Sequence, residues 1–237
     1  MNSPSAPLPD LVKRWQHGWG MCRNIRRAKQ TPEALHATLK LPGRYHEIIA
    51  LHADDRPSSV AELIAQTRAA AQPTWLTIPS NNVEAVTDAC VTAGLELIGD
   101  PESLMTIDLR QHPHREAPQH YNVGTAVLGR NTIQALAATP DSLVAASGVI
   151  AVSSGDAVAH GVRTNEDHRR RGLGDAIMTA LAQEAVEAGA KTGLLVASAQ
   201  GRKLYESLGW KVKASVVSAR VPLTMQVVEP GGYVGCL

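Results

Sequence analysis

Val162-Arg-Thr-Asn-Glu-Asp-His-Arg169-Arg-Arg-Gly172-Leu-Gly174-Asp-Ala176 is the stretch whose reading decides the fold. An apolar, β-branched run, Ala157–Val162, ends near Thr164 and passes through a polar loop into a segment of helical periodicity. That segment, Gly172–Ala188, carries Ile177, Leu181, Ala185 and Ala188 on one face, so its opposite side can be wet. Gly193–Ala197 reads as a second strand. Strand, helix and strand form one βαβ unit with parallel strands and a right-handed crossover. Ligands of such units bind beyond the carboxyl ends of the strands. The helix start adds free amide N–H groups and a positive dipole end, a ready site for phosphate. Gly172 and Gly174 let an anion approach the backbone closely. Arg169, Arg170 and Arg171 add charge that only an anion or solvent can answer.

What is missing narrows the ligand. There is no Gly-Lys-Ser/Thr, which excludes a Walker-type nucleotide loop. Ile177 stands where a dinucleotide fingerprint needs its third glycine. Downstream comes Ser198-Ala-Gln-Gly-Arg-Lys-Leu204-Tyr205-Glu-Ser-Leu-Gly209-Trp210, a short helix over Gly201–Leu208, followed by strands from Trp210 to Leu223.

The two stretches together resemble the signature motifs of the GNAT (Gcn5-related N-acetyltransferase) superfamily. Arg169-x-x-Gly172-x-Gly174 is similar to its acyl-CoA pyrophosphate loop, and Leu204-Tyr205-x-x-x-Gly209-Trp210 to its C-terminal motif. The resemblance implies an α/β fold, a mixed α+β sheet of the acyl-CoA N-acyltransferase (GNAT) type. It implies a transferase moving acetyl from acetyl-CoA, as co-substrate, to an amine, with no metal. The strand before the loop would pair its backbone with pantetheine at Val162 and Thr164. Amides of Arg169, Arg170, Arg171, Gly172, Leu173 and Gly174 would hold the pyrophosphate. Ser198 stands where many members carry a pantetheine-contacting Asn; it either takes that role or caps the helix. Tyr205 stands where members place a hydroxyl near the CoA sulfur, which makes it the expected acid.

An amine attacking a thioester needs alignment, an oxyanion site and the management of two protons. His160 is a candidate base, because its ordinary pKa suits proton removal near neutrality. Period-2 alternation places it on one face with Val158, Val162 and Thr164. Asp156, Glu166 and a water chain are the alternatives. Leu204 should point inward with Leu208, turning Tyr205 to the edge of its short helix. The amine acceptor stays open between aminoglycoside, polyamine, amino acid, peptide N-terminus and protein lysine. A rival reading is a non-catalytic acyl-CoA-binding protein.

Outward from the motifs, Arg110–Tyr121 is polar, holds two prolines and lacks periodicity. It reads as a linker, 111–121, between an N-terminal half, 1–110, and the GNAT-like half, 122–237. Its histidines, His112, His114 and His120, read as solvated rather than metal-binding. In the first half Pro9–Cys22 reads as a helix bearing Leu11, Val12, Trp15 and Trp19. Ala34–Leu41 and Arg44–Leu51 form a hairpin about Pro42-Gly43. Ser59-Val-Ala-Glu62 has the pattern of a capping box. Strand Trp75–Pro79, helix Asn82–Ala93 ending at Gly94, and strand Ser103–Leu109 follow. This order echoes Gly193–Ser198, helix, Gly209-Trp and the last strand, so the first half is expected to be a degenerate GNAT-like repeat that supplies acceptor walls. No helical pair is readable between Tyr121 and Ser142, where members build part of that site.

Composition sets the outer limits. The 237 residues hold 23 Lys+Arg against 22 Asp+Glu, which leaves no broad basic face for nucleic acid. Apolar residues make up 44%, enough for a core, and with no Phe that core falls to aliphatics, four Trp and four Tyr. The longest apolar stretch, Leu143–Val152, is too short for a membrane span. The first residues lack a secretory pattern, and Cys22, Cys90 and Cys236 are too scattered for a disulfide framework, which suits a reducing cytoplasm.

Overall fold

In a computed structural model, described here for residues 6–129 and 131–222, one sheet of twelve strands runs through the molecule. The first half contributes helix α1 (Leu8–Cys22) and strands β1 (Lys29–Gln30), β2 (Ala34–Leu41) and β3 (Arg44–Ala50). Helix α2 (Pro57–Arg68), β4 (Thr74–Ser80), α3 (Val83–Thr92), β5 (Glu96–Leu97) and β6 (Glu102–Asp108) follow. The second half contributes β7 (Asn122–Gly129), β8 (Thr132–Ala138), β9 (Val144–Ser153) and β10 (Asp156–Thr164). It closes with α4 (Leu173–Glu187), β11 (Thr192–Ala197), α5 (Ala199–Ser207) and β12 (Lys211–Arg220). The predicted tail and Cys236 lie outside the described residues. Among the described residues no helix is long and apolar enough to cross a membrane.

The strand order is β1-β2-β3-β4-β12-β6-β11-β10-β9-β8-β7, with β5 beside β12. Two parallel pairs, β3/β4 and β10/β11, are each joined by a crossover helix, α2 and α4. Between them the closing strands are exchanged. β6 of the first half pairs with β11 of the second, and β12 of the second pairs with β4 of the first. β6 and β12 also pair with each other at the centre. The echo in the sequence is thus visible in space, as β4-α3-β6 and β11-α5-β12 take matching places on either side of the central pair. Neither half's sheet is complete without a strand of the other.

Three apolar clusters hold this arrangement. One lies between α4, α5 and strands β6 and β8–β11, around Ile177, Leu181, Tyr205 and Trp210. A second lies under α2 and α3. The third lies on the opposite face of the sheet, where Leu11, Val12, Trp15 and Trp19 of α1 meet Ile49, Leu104, Val158, Leu194 and Val216. A residue of the first half therefore covers strands of the second. Each fully buried Leu or Ile contributes about 1.5–3 kcal/mol, so the interlock is strong.

Several local expectations are corrected. The helix α2 begins at Pro57, two residues before Ser59, because proline's fixed φ suits the first helical position; Ser59 lies inside the helix with its Oγ buried and unpartnered. The segment after β6 is largely exposed but is anchored on α4 rather than free of it. The backbone amide of Arg115 donates to Thr179 Oγ1 at 3.2 Å, and the His112 ring meets Trp210 edge-on with centroids 6.4 Å apart. Burial holds His112 below the ordinary histidine range. On α4, Ala188 is exposed, while Leu173, Met178 and Ala182 join the buried face. Among the described residues after Trp210 there is a single strand, Lys211–Arg220.

Candidate active site

β10 and β11 run side by side only at first. Asp156, Ala157 and Val158 pair with Thr192, Gly193 and Leu194, and there the parallel register ends. Beyond that point β11 pairs with β6 up to Ala197, while β10 continues against β9 alone. The strands part like a V, leaving the β11-facing edge of residues 159–164 without a ladder partner. Unpaired backbone N–H and C=O groups are obligatory hydrogen-bonding groups, so this edge invites an extended ligand with amides of its own.

A bulge shapes the same edge. The register slips between His160 and Arg163, where Gly161 adopts φ +63, a conformation open to glycine at little cost. The extra residue overturns the alternation expected from the sequence. His160 stays with Val158 on the α1 face, whereas Val162 packs beside Ile177 and Leu181 around Gly148 on the α4 face. Thr164 pairs with Ala146 of that same cluster, and Arg163 donates to Ser147 Oγ at 3.2 Å.

At the carboxyl end of β10 the loop turns into α4. Gly172 is its N-cap at φ +77 and offers no side chain to the amides of Leu173, Gly174 and Asp175, which face outward unsatisfied by the helix. Arg169 pairs with Glu166 at 3.2 Å and reaches the Thr164 carbonyl at 3.4 Å. Arg170 is held at φ +58. Arg171 donates to Tyr121 Oη at 3.0 Å and to the Asp167 carbonyl at 2.9 Å, and Tyr121 Oη lies 2.9 Å from His168 Nδ1. Gly174 has a second reason to be glycine, since a Cβ there would lie 2.9 Å from Leu204 Cδ2. Its bareness seats α5 against α4.

Ser198 caps α5, accepting from the Gly201 amide at 3.2 Å. Tyr205 is buried rather than turned to the helix edge, and it is Leu204 that is only partly buried. The Tyr205 ring packs at 6.0 Å from Trp210, with Gly201 leaving room for it. Burial pushes its phenol up to about 12, so it is protonated across the neutral range.

On the α1 face, between the parted strands and the first half, lies a cavity of about 180 Å³. Its walls include Trp15, Trp19 and Arg23 from α1, Arg44 and Glu47 from β3, and Trp75 from β4. Ala159 and His160 of β10 and Val196 of β11 form its border with the V. Trp19 meets the His160 ring edge-on at 6.4 Å, and Arg23 Nη1 lies 3.5 Å from His160 Nε2. Desolvation, with Arg23 and Arg44 nearby, lowers His160 to about 4. The imidazole is therefore neutral at pH 7. The sequence reading named His160, Trp15 and Trp19 and expected the first half to wall the acceptor site, but it did not single out Arg23, Arg44 or Glu47. Their signal was present in Glu47, a charge set in the apolar strand Ile48-Ile49-Ala50, and in three of four tryptophans sharing one half. Among the described residues no cluster of His, Cys, Asp and Glu is arranged to hold a metal.

A family profile described as "Acetyltransferase (GNAT) domain" matches residues 132–212, the segment that carries both motifs. No curated protein matches the chain. Solved structures do. A GCN5-related N-acetyltransferase from Kribbella flavida is 16% identical, with 92% of this chain and 96% of that one covered at a TM-score of 0.64. One from Sphaerobacter thermophilus is 14% identical, covering 90% and 93% at 0.60. A tandem GNAT protein from the clavulanic acid biosynthesis pathway is 12% identical, covering 73% and 74% at 0.53. The fold is thus the mixed-sheet acyltransferase fold along nearly the whole chain. Residues 132–212 match the GNAT domain profile, and the chain shares the fold of these solved structures.

Proposed function

We propose that the protein is an N-acetyltransferase that moves the acetyl group of acetyl-CoA to a primary amine by direct attack in a ternary complex. The observation that carries this reading is the parting of β10 from β11 after Val158, at the strand ends where α4 presents its unsatisfied amides. The pyrophosphate would sit on the amides from Arg169 to Gly174, with the arginines adding charge. The pantetheine arm would lie along β10, exchanging hydrogen bonds with the backbone of Val162 and Thr164. Ser198, whose oxygen accepts from Gly201, keeps its own O–H free to donate to that arm.

The thioester would then lie in the V, with Tyr205 on the α5 side and the aromatic cavity on the other. The acceptor enters as an ammonium ion and loses one proton before attack; neutral His160 borders the cavity and is our candidate to take it. The amine lone pair forms the N–C bond, the C–S bond breaks, and the second amine proton goes to solvent while the departing thiolate takes up one proton. Tyr205, protonated at neutral pH, is our candidate donor, reprotonated from solvent. One proton is released per turnover. We read 1–110 as a degenerate GNAT-like half that walls the acceptor site and 122–237 as the half that binds acetyl-CoA. A reducing cytoplasm suits the free thiols of Cys22 and Cys90, both pushed up by burial.

Thiol release from acetyl-CoA in the presence of an amine panel tests the reading. Release that depends on an amine supports it. Tight acetyl-CoA binding with no release for any amine would leave an acyl-CoA-binding protein instead.

A further inference from the structure

The acceptor cavity holds two opposite charges that do not meet. Arg23, near the end of α1, stacks over Trp19 at 5.4 Å and touches His160, yet no carboxylate lies within 4 Å of it among the described residues. Glu102, at the start of β6, faces the same cavity, and its carboxylate has no hydrogen bond or ion pair among them either. The other charged residues of the cavity pair with each other, although Arg44 Nε is buried without a hydrogen-bond partner. Arg44 pairs with Glu47 at 2.5 Å and is held between Trp19 and Trp75, and Glu47 also accepts from Thr77 at 2.6 Å. Desolvation lowers the pKa of Arg23 and raises that of Glu102, and the nearby Glu47 and Arg44, respectively, offset these shifts only in part. Leaving such charges uncompensated in an aromatic pocket is costly, and a ligand bearing both complements would relieve both.

Resting on the acetyltransferase reading, we propose that the acceptor is an amino acid, which sets its carboxylate on Arg23 and its ammonium group on Glu102. The cavity size agrees: at about 180 Å³ it falls below the roughly 300–1,000 Å³ of sites for drug-sized ligands. A polyamine or an aminoglycoside would force further positive charge against Arg23 and Arg44, a repulsion that selects against polycations. A peptide N-terminus lacks the nearby carboxylate that Arg23 asks for. Glu102 then takes the proton that leaves the ammonium group, directly or through His160, and passes it to solvent.

Calorimetric titration of the whole protein with the twenty standard amino acids and short ω-amino acids tests this without relying on turnover. Each binder is compared with the amine that lacks only its carboxyl group. The expected result is at least tenfold tighter binding of the acid, a difference abolished in Arg23→Met and untouched in an exposed control, Arg202→Met. Glu102→Gln should weaken the acid and its decarboxylated partner alike. Equal affinities, a preference that survives Arg23→Met, or no binder in the panel would overturn the proposal. Thiol release with amines that lack a carboxylate would overturn it too while leaving the acetyltransferase reading intact. Arg23-dependent binding of amino acids without any thiol release would do the reverse.

Discussion

Gly18 of α1 lies so close to Val158 of β10 that a Cβ on the glycine would sit 2.3 Å from Val158 Cγ2 and 2.6 Å from its Cβ. The helix of the first half is thus seated directly on the strand that borders the V. Nearby, Arg14 Nε and Nη2 donate to the two oxygens of the Asp156 carboxylate, at the first residue of the same strand. Together these contacts fix where Trp15, Trp19 and Arg23 stand relative to His160.

Gly18→Ala should therefore destabilise the protein despite alanine's better helix propensity. Overpacking costs about 1–3 kcal/mol, against a gain of about 0.5–1 kcal/mol from replacing glycine in a helix. Urea denaturation should show a net loss of about 1–2 kcal/mol, smaller in the Gly18→Ala/Val158→Ala double variant than the sum of the single changes. Additive losses would mean that the two residues do not press on each other.

Tyr205→Phe removes one oxygen from a buried ring and leaves its packing on Trp210. If the phenol protonates the thiolate, kcat should fall by roughly 10- to 100-fold while acetyl-CoA affinity, measured by calorimetry, stays the same. Because burial pushes the phenol to about 12, the wild-type rate should show no basic limb from this group below pH 10. Wild-type kcat in the variant, with chemistry rate-limiting, would leave Tyr205 as a packing residue.

The pH dependence of His160 has a defined sign. Its folded pKa, about 4, lies below the ordinary 6.5, so between these values the unfolded chain binds a proton that the folded one refuses. Stability contributed by neutral His160 should fall as pH drops from 6.5 toward 4 and level off below, by at most about 3 kcal/mol at 1.36 kcal/mol per unit. His160→Gln should flatten that part of the stability curve. If His160 is the base, the acidic limb of kcat/KM should lie near 4 rather than 6.5, and the substitution should remove it.

Gly172 and Gly174 need separate tests, because each is glycine for a structural reason besides the anion, Gly172 for its φ of +77 and Gly174 for its packing. A Cβ on Gly172 meets only Pro118 at 3.7 Å, whereas one on Gly174 strikes Leu204. Gly174→Val is therefore expected to lose acetyl-CoA affinity for two reasons. Pairing it with Leu204→Ala gives α5 room while keeping the obstruction in the loop. Affinity should stay down by roughly tenfold, about 1.4 kcal/mol, in the double variant. Full recovery would assign Gly174 to helix packing only.

The sequence located the loop, the Leu204-Tyr205 helix and most elements to within a residue or two, because each rests on local signals. These were the loop glycines, an apolar periodicity, or a closing glycine such as Gly94. The bulge at Gly161 was not read. One added residue reverses every later side chain of a strand, and an isolated glycine does not announce which way. Nor was the exchange of β6 and β12 readable. Leu104 and Val216 are both apolar strand residues, and nothing local to either specifies the neighbour across the ladder. The cavity's wall escaped for the same reason, since Glu102 comes to line it with Arg23, Arg44 and Glu47 only through that long-range pairing.

The exchange sharpens one last expectation, about a fragment that begins at Tyr121. Such a fragment keeps α4, β11 and the loop but loses β6, which pairs with β11 on one side and β12 on the other. It also bares the α1 face of β10 and β11, where Val158 and Leu194 would stand in water. Two unpaired edges at the centre of a sheet and an exposed apolar face both favour aggregation. The fragment should therefore be insoluble or inactive by itself. Produced together with residues 1–120, it should recover as a soluble one-to-one complex that binds acetyl-CoA, because β6 and α1 can dock without a covalent link. Size-exclusion chromatography and calorimetry read both results. A monomeric, folded and fully active fragment would show instead that the second half needs neither the strand nor the helix of the first.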